Sequence, residues 1–177
     1  MSCKKNSVVK IAPPSKQDIA FFMDAAYQLA CQAEAMGEVP VGAVVVKNQR
    51  IIGQGYNTPI SRNSPFAHAE IIALQNAAIL LHNYRLVDCD MYTTLEPCLM
   101  CAGAITQARI RRLIFGTYEP KCGVAGSVID IFANPQLNVH TSVFGNVDTA
   151  RCTKQLVQFF QKKRKMITKA DPAIIGL

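Results

Sequence analysis

The chain has 177 residues, of which 50% are hydrophobic and 18% are charged, a composition that excludes an intrinsically disordered protein. This length suits one domain that buries enough apolar surface to fold without disulfides. No apolar run is long enough to span a bilayer, so we expect no membrane partner. We expect no export signal, because a lysine interrupts the apolar residues near the start of the sequence. With 7 cysteines, an odd number, we therefore expect reduced thiols and a cytoplasmic location.

The predicted elements begin after residues 1–14, which we interpret as a polar leader ending in two prolines. Ser15, with an acid three residues later, has the pattern of a helix N-cap. Apolar side chains then recur at helical spacing over residues 19–33. Residues 41–46 and 51–56 predict two strands joined as a hairpin.

A turn-rich loop over residues 57–65 leads to a predicted helix at 67–81. Residues 91–94 predict a short strand, residues 98–107 a helix and residues 112–116 another strand. This alternation of helices and strands predicts an α/β fold with helices on both faces of the sheet.

The last third of the sequence contains a loop at 123–138 and a predicted final strand at 140–144. A long basic helix is predicted over 148–169, followed by a tail at 170–177. We expect residues 15–169 to form a single domain, because no linker divides them.

The excess positive charge of the chain is concentrated in one segment. Residues 151–169 contain seven of the 19 basic residues and no acidic residue, so the rest of the chain is balanced at 12 residues of each sign. A neutral body with one basic segment predicts a local contact with a polyanion, although a solvated amphipathic helix remains the alternative.

Within this segment, aromatic and basic side chains stand close together, as expected where unstacked bases and phosphates are bound. We therefore predict RNA contacts from Phe159, Phe160, Lys162, Lys163, Arg164 and Lys165. The alternative is that the aromatic residues pack the helix on the sheet.

Two short motifs indicate a metal site: His68-Ala69-Glu70, and Pro97 followed by Cys98 and Cys101. One imidazole and two thiolates are ligands that zinc prefers, and three protein ligands leave a fourth position open for catalysis. Cys98 and Cys101 are three residues apart, so both sulfurs can face one ion from the start of a helix, where the thiol pKa is lowered.

Glu70 is the predicted general base, because it lies beside a zinc ligand and a zinc-bound water becomes acidic enough to lose a proton near neutral pH. His68 and Glu70 are only two residues apart, so they share one site only if the helix meets it end-on. We expect two helix N-termini to converge on the metal. The alternatives are a closed zinc site with Cys89 or Cys122 as fourth ligand, or a redox pair of cysteines.

The combination of His68-Ala69-Glu70 with Pro97-Cys98-x-x-Cys101 resembles the signature of the cytidine-deaminase-like zinc deaminases. A finer resemblance, to the bacterial tRNA-specific adenosine deaminases, runs from about residue 21 to residue 165. The segments that carry it are residues 37–43, 67–71, 83–86 and 94–104, with Phe115-Gly116 and the loop that follows.

The resemblance implies a three-layer α/β/α cytidine-deaminase-like fold with a five-stranded mixed sheet, usually as a homodimer. It implies one zinc per chain and hydrolytic deamination of the wobble adenosine in a tRNA anticodon stem-loop to inosine. By position, it assigns the zinc ligands to His68, Cys98 and Cys101, and the proton shuttle to Glu70.

The same resemblance implies the substrate contacts. Asn57 matches a substrate-contacting asparagine, and Glu119 stands near the ribose, where several relatives have Asp. Residues near the base pocket are Pro40, Val41 and Leu95. Two alternatives remain: a deaminase of a free nucleobase or nucleoside, such as guanine or cytosine, and a catalytically silent zinc-bearing subunit that binds RNA.

Overall fold

The computed structural model describes residues 11–138 and 141–169. Within these ranges the elements are α1 (Lys16–Ala35), β1 (Gly42–Lys47), β2 (Arg50–Tyr56), α2 (Ala69–Leu81), β3 (Asp90–Leu95), α3 (Leu99–Gln107), β4 (Arg112–Thr117), β5 (Ser142–Phe144) and α4 (Thr149–Lys169). Most of the predicted leader, the whole tail and the first residue of the predicted last strand lie outside the described residues.

Every predicted helix and strand is present, but three helices begin later than expected, α4 by the single residue 148. α2 begins at Ala69 and α3 at Leu99. His68 and Cys98 are therefore N-cap residues, with extended backbone (ψ of 150° and 173°), rather than residues of the first helical turn. At an N-cap the backbone has not yet entered the helix, so hydrophobic periodicity does not reveal the boundary.

The five strands form one mixed sheet in the order β2-β1-β3-β4-β5. β1 runs antiparallel to both β2 and β3, whereas β4 runs parallel to β3 and β5. Because β3 and β4 are parallel neighbours, the loops that follow them leave the sheet at the same edge. This edge brings the segment after β3 next to the loop after β4.

The sheet lies between two helical layers, which confirms the three-layer α/β/α fold. Successive side chains of a strand point to opposite faces. Val45 and Met91 belong to a core shared with α2 and α3. Val44 and Tyr92 belong to a second core shared with α1 and with Cys152 of α4.

α2 lies unusually close to β2, because two residues of that strand are glycines. A β-carbon at Gly55 would overlap the backbone carbonyl of Ala69, and one at Gly53 would overlap that of Ala73. The first turn of α2 thus rests directly on the strand backbone, and this contact sets the position of the residues at the start of the helix.

In the part of the chain that the structure describes, no helix combines the length and apolarity needed to cross a bilayer.

Candidate zinc and catalytic site

The N-termini of α2 and α3 meet at one site, as the motif spacing predicts. The Nδ1 atom of His68 lies 3.5 Å from the Sγ of Cys101 and 3.8 Å from the Sγ of Cys98. A tetrahedral zinc with ordinary bond lengths separates nitrogen and sulfur ligands by about 3.6 Å. The three side chains are therefore arranged as a zinc-ligand set.

The start of α2 is held in place by Asn57. Its Oδ1 accepts a hydrogen bond of 2.9 Å from the backbone N–H of Ala69, one of the amides that has no partner within the helix. The Asn57 backbone N–H in turn donates to the carbonyl of Val41 at 3.0 Å. Asn57 therefore lies between the strand edge and the residues His68 and Glu70, with the side-chain amide nitrogen as its donor end.

The two thiols have opposite pKa shifts. Hydrogen bonding with Cys101, together with that from His68, lowers the pKa of the Cys98 thiol to about 4. Hydrogen bonding to Cys98 and burial both raise the pKa of the Cys101 thiol. The interaction with Cys98 raises the pKa of His68. The cluster therefore holds one thiolate readily, and a bound cation would stabilise the second.

Glu70 is the ionisable group best placed for proton transfer. Its side chain is only 3% exposed, and burial raises its pKa to about 7, although the neighbouring His68 opposes this shift. Within the described residues, its Oε2 atom is buried without a hydrogen-bond partner. Burial thus disfavours the ionised form of this carboxyl, a condition typical of groups that exchange protons in active sites.

These observations fit zinc. The donor set of one imidazole and two thiols is the one that zinc prefers, and the buried Glu70 oxygen beside it would gain a partner from a water on the metal. The cluster found among the described residues contains three side chains, and neither Cys89 nor Cys122 belongs to it. The geometry thus favours an open, three-ligand site over a closed one.

The residues expected near the base pocket are at least partly buried. Pro40 and Val41 are buried in the segment that connects α1 to β1, and Val41 belongs to the core on the α2 and α3 side of the sheet, against which Leu95 packs at the end of β3. Glu119 lies in the loop after β4, where its Oε1 accepts from the N–H of Lys121 at 2.9 Å.

Two buried carboxylates that the sequence analysis did not single out organise the loops around the site. Glu38 accepts hydrogen bonds from the amides of Ile60 and Ser61, at 3.2 and 2.7 Å, and so holds the loop after β2. Glu96 does the same for the loop after β4, through its contact with Glu119. The available signal was an acid flanked by apolar residues and close to a proline, in Glu38-Val39-Pro40 and Leu95-Glu96-Pro97.

The predicted RNA-binding residues of α4 are divided between core and surface. Phe159 is buried, and Phe160 is 46% exposed. Lys162 pairs with Glu34 of α1 at 3.1 Å, and the Lys163 ammonium stacks over the Phe159 ring at 5.6 Å.

The Lys163 ammonium also lies beside Gly37, at the start of the segment that leads to Pro40. Lys165 is exposed. The basic end of α4 therefore borders the segment before β1, although it does not belong to the metal cluster.

A family model for the cytidine and deoxycytidylate deaminase zinc-binding region matches residues 16–117, more than half of the chain. The chain belongs to this family of zinc deaminases.

Among individual proteins, the chain is similar to the tRNA-specific adenosine deaminase of Haemophilus influenzae, with 49% identity over 148 residues that cover 82% of this chain and 86% of the relative. It is also similar to a solved structure from studies of A-to-I editing by tRNA:A34 deaminases at the wobble position of transfer RNA. That structure is 38% identical, with a TM-score of 0.75, over 77% of this chain and 99% of its own.

A third similarity is to the guanine deaminase of Bacillus subtilis, whose solved structure is 39% identical with a TM-score of 0.55. It covers 64% of this chain and 72% of that one. The comparisons confirm both the zinc deaminase fold and the resemblance to bacterial tRNA-specific adenosine deaminases.

Proposed function

We propose that this chain is a zinc-dependent deaminase that converts the wobble adenosine of a tRNA anticodon to inosine. The observation that carries the proposal is the convergence of a zinc-ligand set with a buried, unpartnered carboxylate at the ends of two helices. The substrate class is supported by the relatives named as tRNA-specific adenosine deaminases. We take residues 15–169 as one deaminase domain.

In this proposal His68, Cys98 and Cys101 hold the zinc and Glu70 is the catalytic residue. When bound, zinc supplies Lewis-acid chemistry that lowers the pKa of a water toward neutrality. Glu70 accepts a proton from the attacking water and delivers it to N1 of adenine. It then takes the remaining proton from the new hydroxyl at C6 and passes it to the leaving amino group, so that C6 becomes a carbonyl as the C6–N bond breaks. Water and adenosine are consumed, and inosine and ammonia are formed.

Substrate contacts are assigned to residues around the metal. The side-chain amide of Asn57 donates to the base, because its oxygen is already used to cap α2. Glu119 contacts the ribose from the loop after β4. The walls of the base pocket are assigned to Pro40, Val41 and Leu95.

The anticodon stem-loop is bound in part by the basic end of α4. Phe160 offers an exposed ring on which a base can stack. Cations for the phosphates come from Lys162, Lys163, Arg164 and Lys165. Phe159 supports this surface from the core side of the helix. The position of Lys163 beside Gly37 supports a continuous path from this surface to the segment before β1.

We also propose a cytoplasmic homodimer. Large apolar side chains are exposed next to each other at the end of α2, namely Ile79 and Leu80. Such exposure is typical of a surface covered by another protein. Light scattering coupled to size-exclusion chromatography should give twice the chain mass.

The second candidate function is deamination of a free base. The observation that supports it is the similarity to a guanine deaminase. The test compares three substrates at equal concentration: an anticodon stem-loop with adenosine at the wobble position, free adenosine and free guanine. We expect kcat/KM to be highest for the stem-loop, with inosine and ammonia formed in equal amounts.

A stem-loop of the same sequence with guanosine at the wobble position is the control and should remain unchanged. Faster turnover of guanine or free adenosine would contradict the tRNA proposal. Tight stem-loop binding with no turnover of any substrate would indicate a catalytically silent subunit.

A further inference from the structure

Glu96 is a buried carboxylate that directly follows β3. It lies two residues before Cys98 and directly before residues 97–101, which we call the zinc-ligand segment. Glu96 is only 2% exposed, and both carboxylate oxygens accept hydrogen bonds from one loop. Oε1 accepts from the amides of Ala125 and Ser127, at 2.7 and 3.1 Å. Oε2 accepts from the amide of Glu119 at 2.9 Å and from the Ser127 hydroxyl.

The same loop, residues 118–127, also contacts the backbone of the zinc-ligand segment. Val124 donates its N–H to the carbonyl of Pro97 at 3.1 Å, and Gly123 forms an isolated bridge with Cys98. A β-carbon at Gly123 would overlap the Glu96 carboxylate, so this approach requires glycine. The loop therefore rests on the segment that carries a zinc ligand.

The partners of Glu96 differ from those of the buried carboxylate at the other end of the same strand. Asp90 is bound by the guanidinium groups of Arg111 and Arg112, a charge pair that holds β3 to the start of β4. The partners that the structure gives Glu96 are three amides and a hydroxyl, all from the 118–127 loop. Its charge is therefore compensated by groups whose positions it fixes.

We propose that Glu96 is a positioning residue that holds the 118–127 loop against the zinc-ligand segment and thereby sets the place of Glu119 for substrate binding. The part concerning substrate rests on the proposed function. Glu96 itself contacts neither the metal cluster nor the base. It acts through the loop.

The test compares Glu96→Gln with Asp90→Asn. Glutamine keeps the size of Glu96 but turns one acceptor oxygen into an NH₂ group, which would face N–H donors of the loop. We expect amide hydrogen exchange at residues 119, 125 and 127 to become about tenfold faster or more, since these amides no longer donate to a charged acceptor. KM for the stem-loop should rise by a similar factor, while kcat changes less and zinc content is retained.

Asp90→Asn is the matched control, because it removes another buried charge, at the opposite end of β3 from Glu96. It should lower the melting temperature without accelerating exchange in the 118–127 loop or raising KM. A Glu96→Gln protein with unchanged loop exchange would overturn the proposal, as would faster exchange with unchanged KM. A rise in KM that Asp90→Asn reproduces would reduce Glu96 to a general stability role.

If Glu96→Gln does not fold, Ser127→Ala decides, because it removes one of the four donors and leaves the carboxylate intact. Faster exchange at residues 119 and 125, with a smaller rise in KM, supports the proposal, and unchanged exchange overturns it. If the wild-type protein were inactive on the stem-loop, that result would contradict the proposed function but not the role of Glu96 in holding the loop. The exchange measurements would still show whether Glu96 holds the loop.

Discussion

Cys98 and Cys101 differ from the other described thiols because their sulfurs share a cluster with an imidazole nitrogen. We expect Cys98→Ser or Cys101→Ser to remove most of the zinc from a protein that otherwise carries about one ion per chain, because serine is a poor zinc ligand. Elemental analysis of the purified variants measures this. Cys122→Ser is the control, since its exposed thiol lies outside the cluster. Full occupancy after either cluster substitution would exclude that cysteine from the ligand set.

Glu70→Gln tests the acid–base role. The amide preserves size but cannot exchange a proton, and general acid–base catalysis typically contributes about 10²–10⁴-fold. We expect a loss of turnover at or above the upper end of that range, because the proposed mechanism gives Glu70 proton transfers at more than one step. Zinc content and stem-loop affinity should be retained. Asp18→Asn, which removes an acid from the first turn of α1 on the other face of the sheet, should leave turnover unchanged. A Glu70→Gln protein retaining a tenth of the wild-type rate would assign the proton transfers to another group.

At the residue scale, residue type and spacing were enough to predict which side chains would cluster, whereas contacts that depend on tertiary structure were not predictable. Zinc ligands are recognisable because few side chains bind zinc and their spacing is short. Glu38 and Glu96 were not recognised, because their partners are backbone amides more than twenty positions away, and a backbone amide has no sequence signature. The same reason hid the capping bond from Asn57 to α2.

At the element scale, the basic residues of α4 give a testable prediction about RNA affinity. Changing Lys162, Lys163, Arg164 and Lys165 together to Gln should weaken stem-loop binding and lower its salt dependence. For every phosphate of single-stranded RNA that is no longer neutralised, the slope of log affinity against log salt should fall by about 0.7. Lys162 should contribute least, because it already pairs with Glu34. Rate at saturating stem-loop and zinc content should persist.

The control for this variant removes four positive charges elsewhere. Suitable exposed positions are Lys16, Arg50, Arg85 and Arg109. If the two fourfold variants weaken affinity equally and have the same salt slope, net charge rather than α4 governs binding. Filter binding or fluorescence anisotropy over a series of salt concentrations distinguishes the two results.

Elements with strong periodicity were predictable in type, and their starts were less so. The predicted helices at 67–81 and 98–107 each began before the true first turn, because His68 and Cys98 cap the helices with extended backbone. This difference matters for the site. Because His68 precedes the first helical turn and has extended backbone, it does not follow the helical positions, so His68 and Glu70 can lie at one site although they are only two residues apart.

At the scale of the whole molecule, the site depends on how closely α2 rests on the sheet. Gly55→Ala should push the first turn of α2 away from β2, because the new β-carbon would overlap the Ala69 carbonyl. His68 would then shift relative to the cysteines of α3. We expect weaker zinc binding and a lower melting temperature.

Gly103→Ala is the matched control, since a β-carbon there meets no atom within 4 Å. Alanine in this exposed helical position should stabilise the protein by about 0.5–1 kcal/mol and leave zinc affinity unchanged. Competition with a chromophoric chelator measures the affinities. Equal zinc affinity in the two variants would mean that zinc binding does not depend on the close packing of α2 against β2.

The proposed ligand set would join, through one ion, two residues that are 30 positions apart, His68 and Cys98. A zinc held there would also be a reversible crosslink between α2 and α3, with its binding thermodynamically linked to folding. The free energy of unfolding should rise by about 1.4 kcal/mol for each tenfold increase in free zinc above the dissociation constant. Melting curves in zinc buffers should show this slope for wild type and lose it for Cys98→Ser. Zinc supply would then govern how long the folded enzyme survives as well as whether it can react.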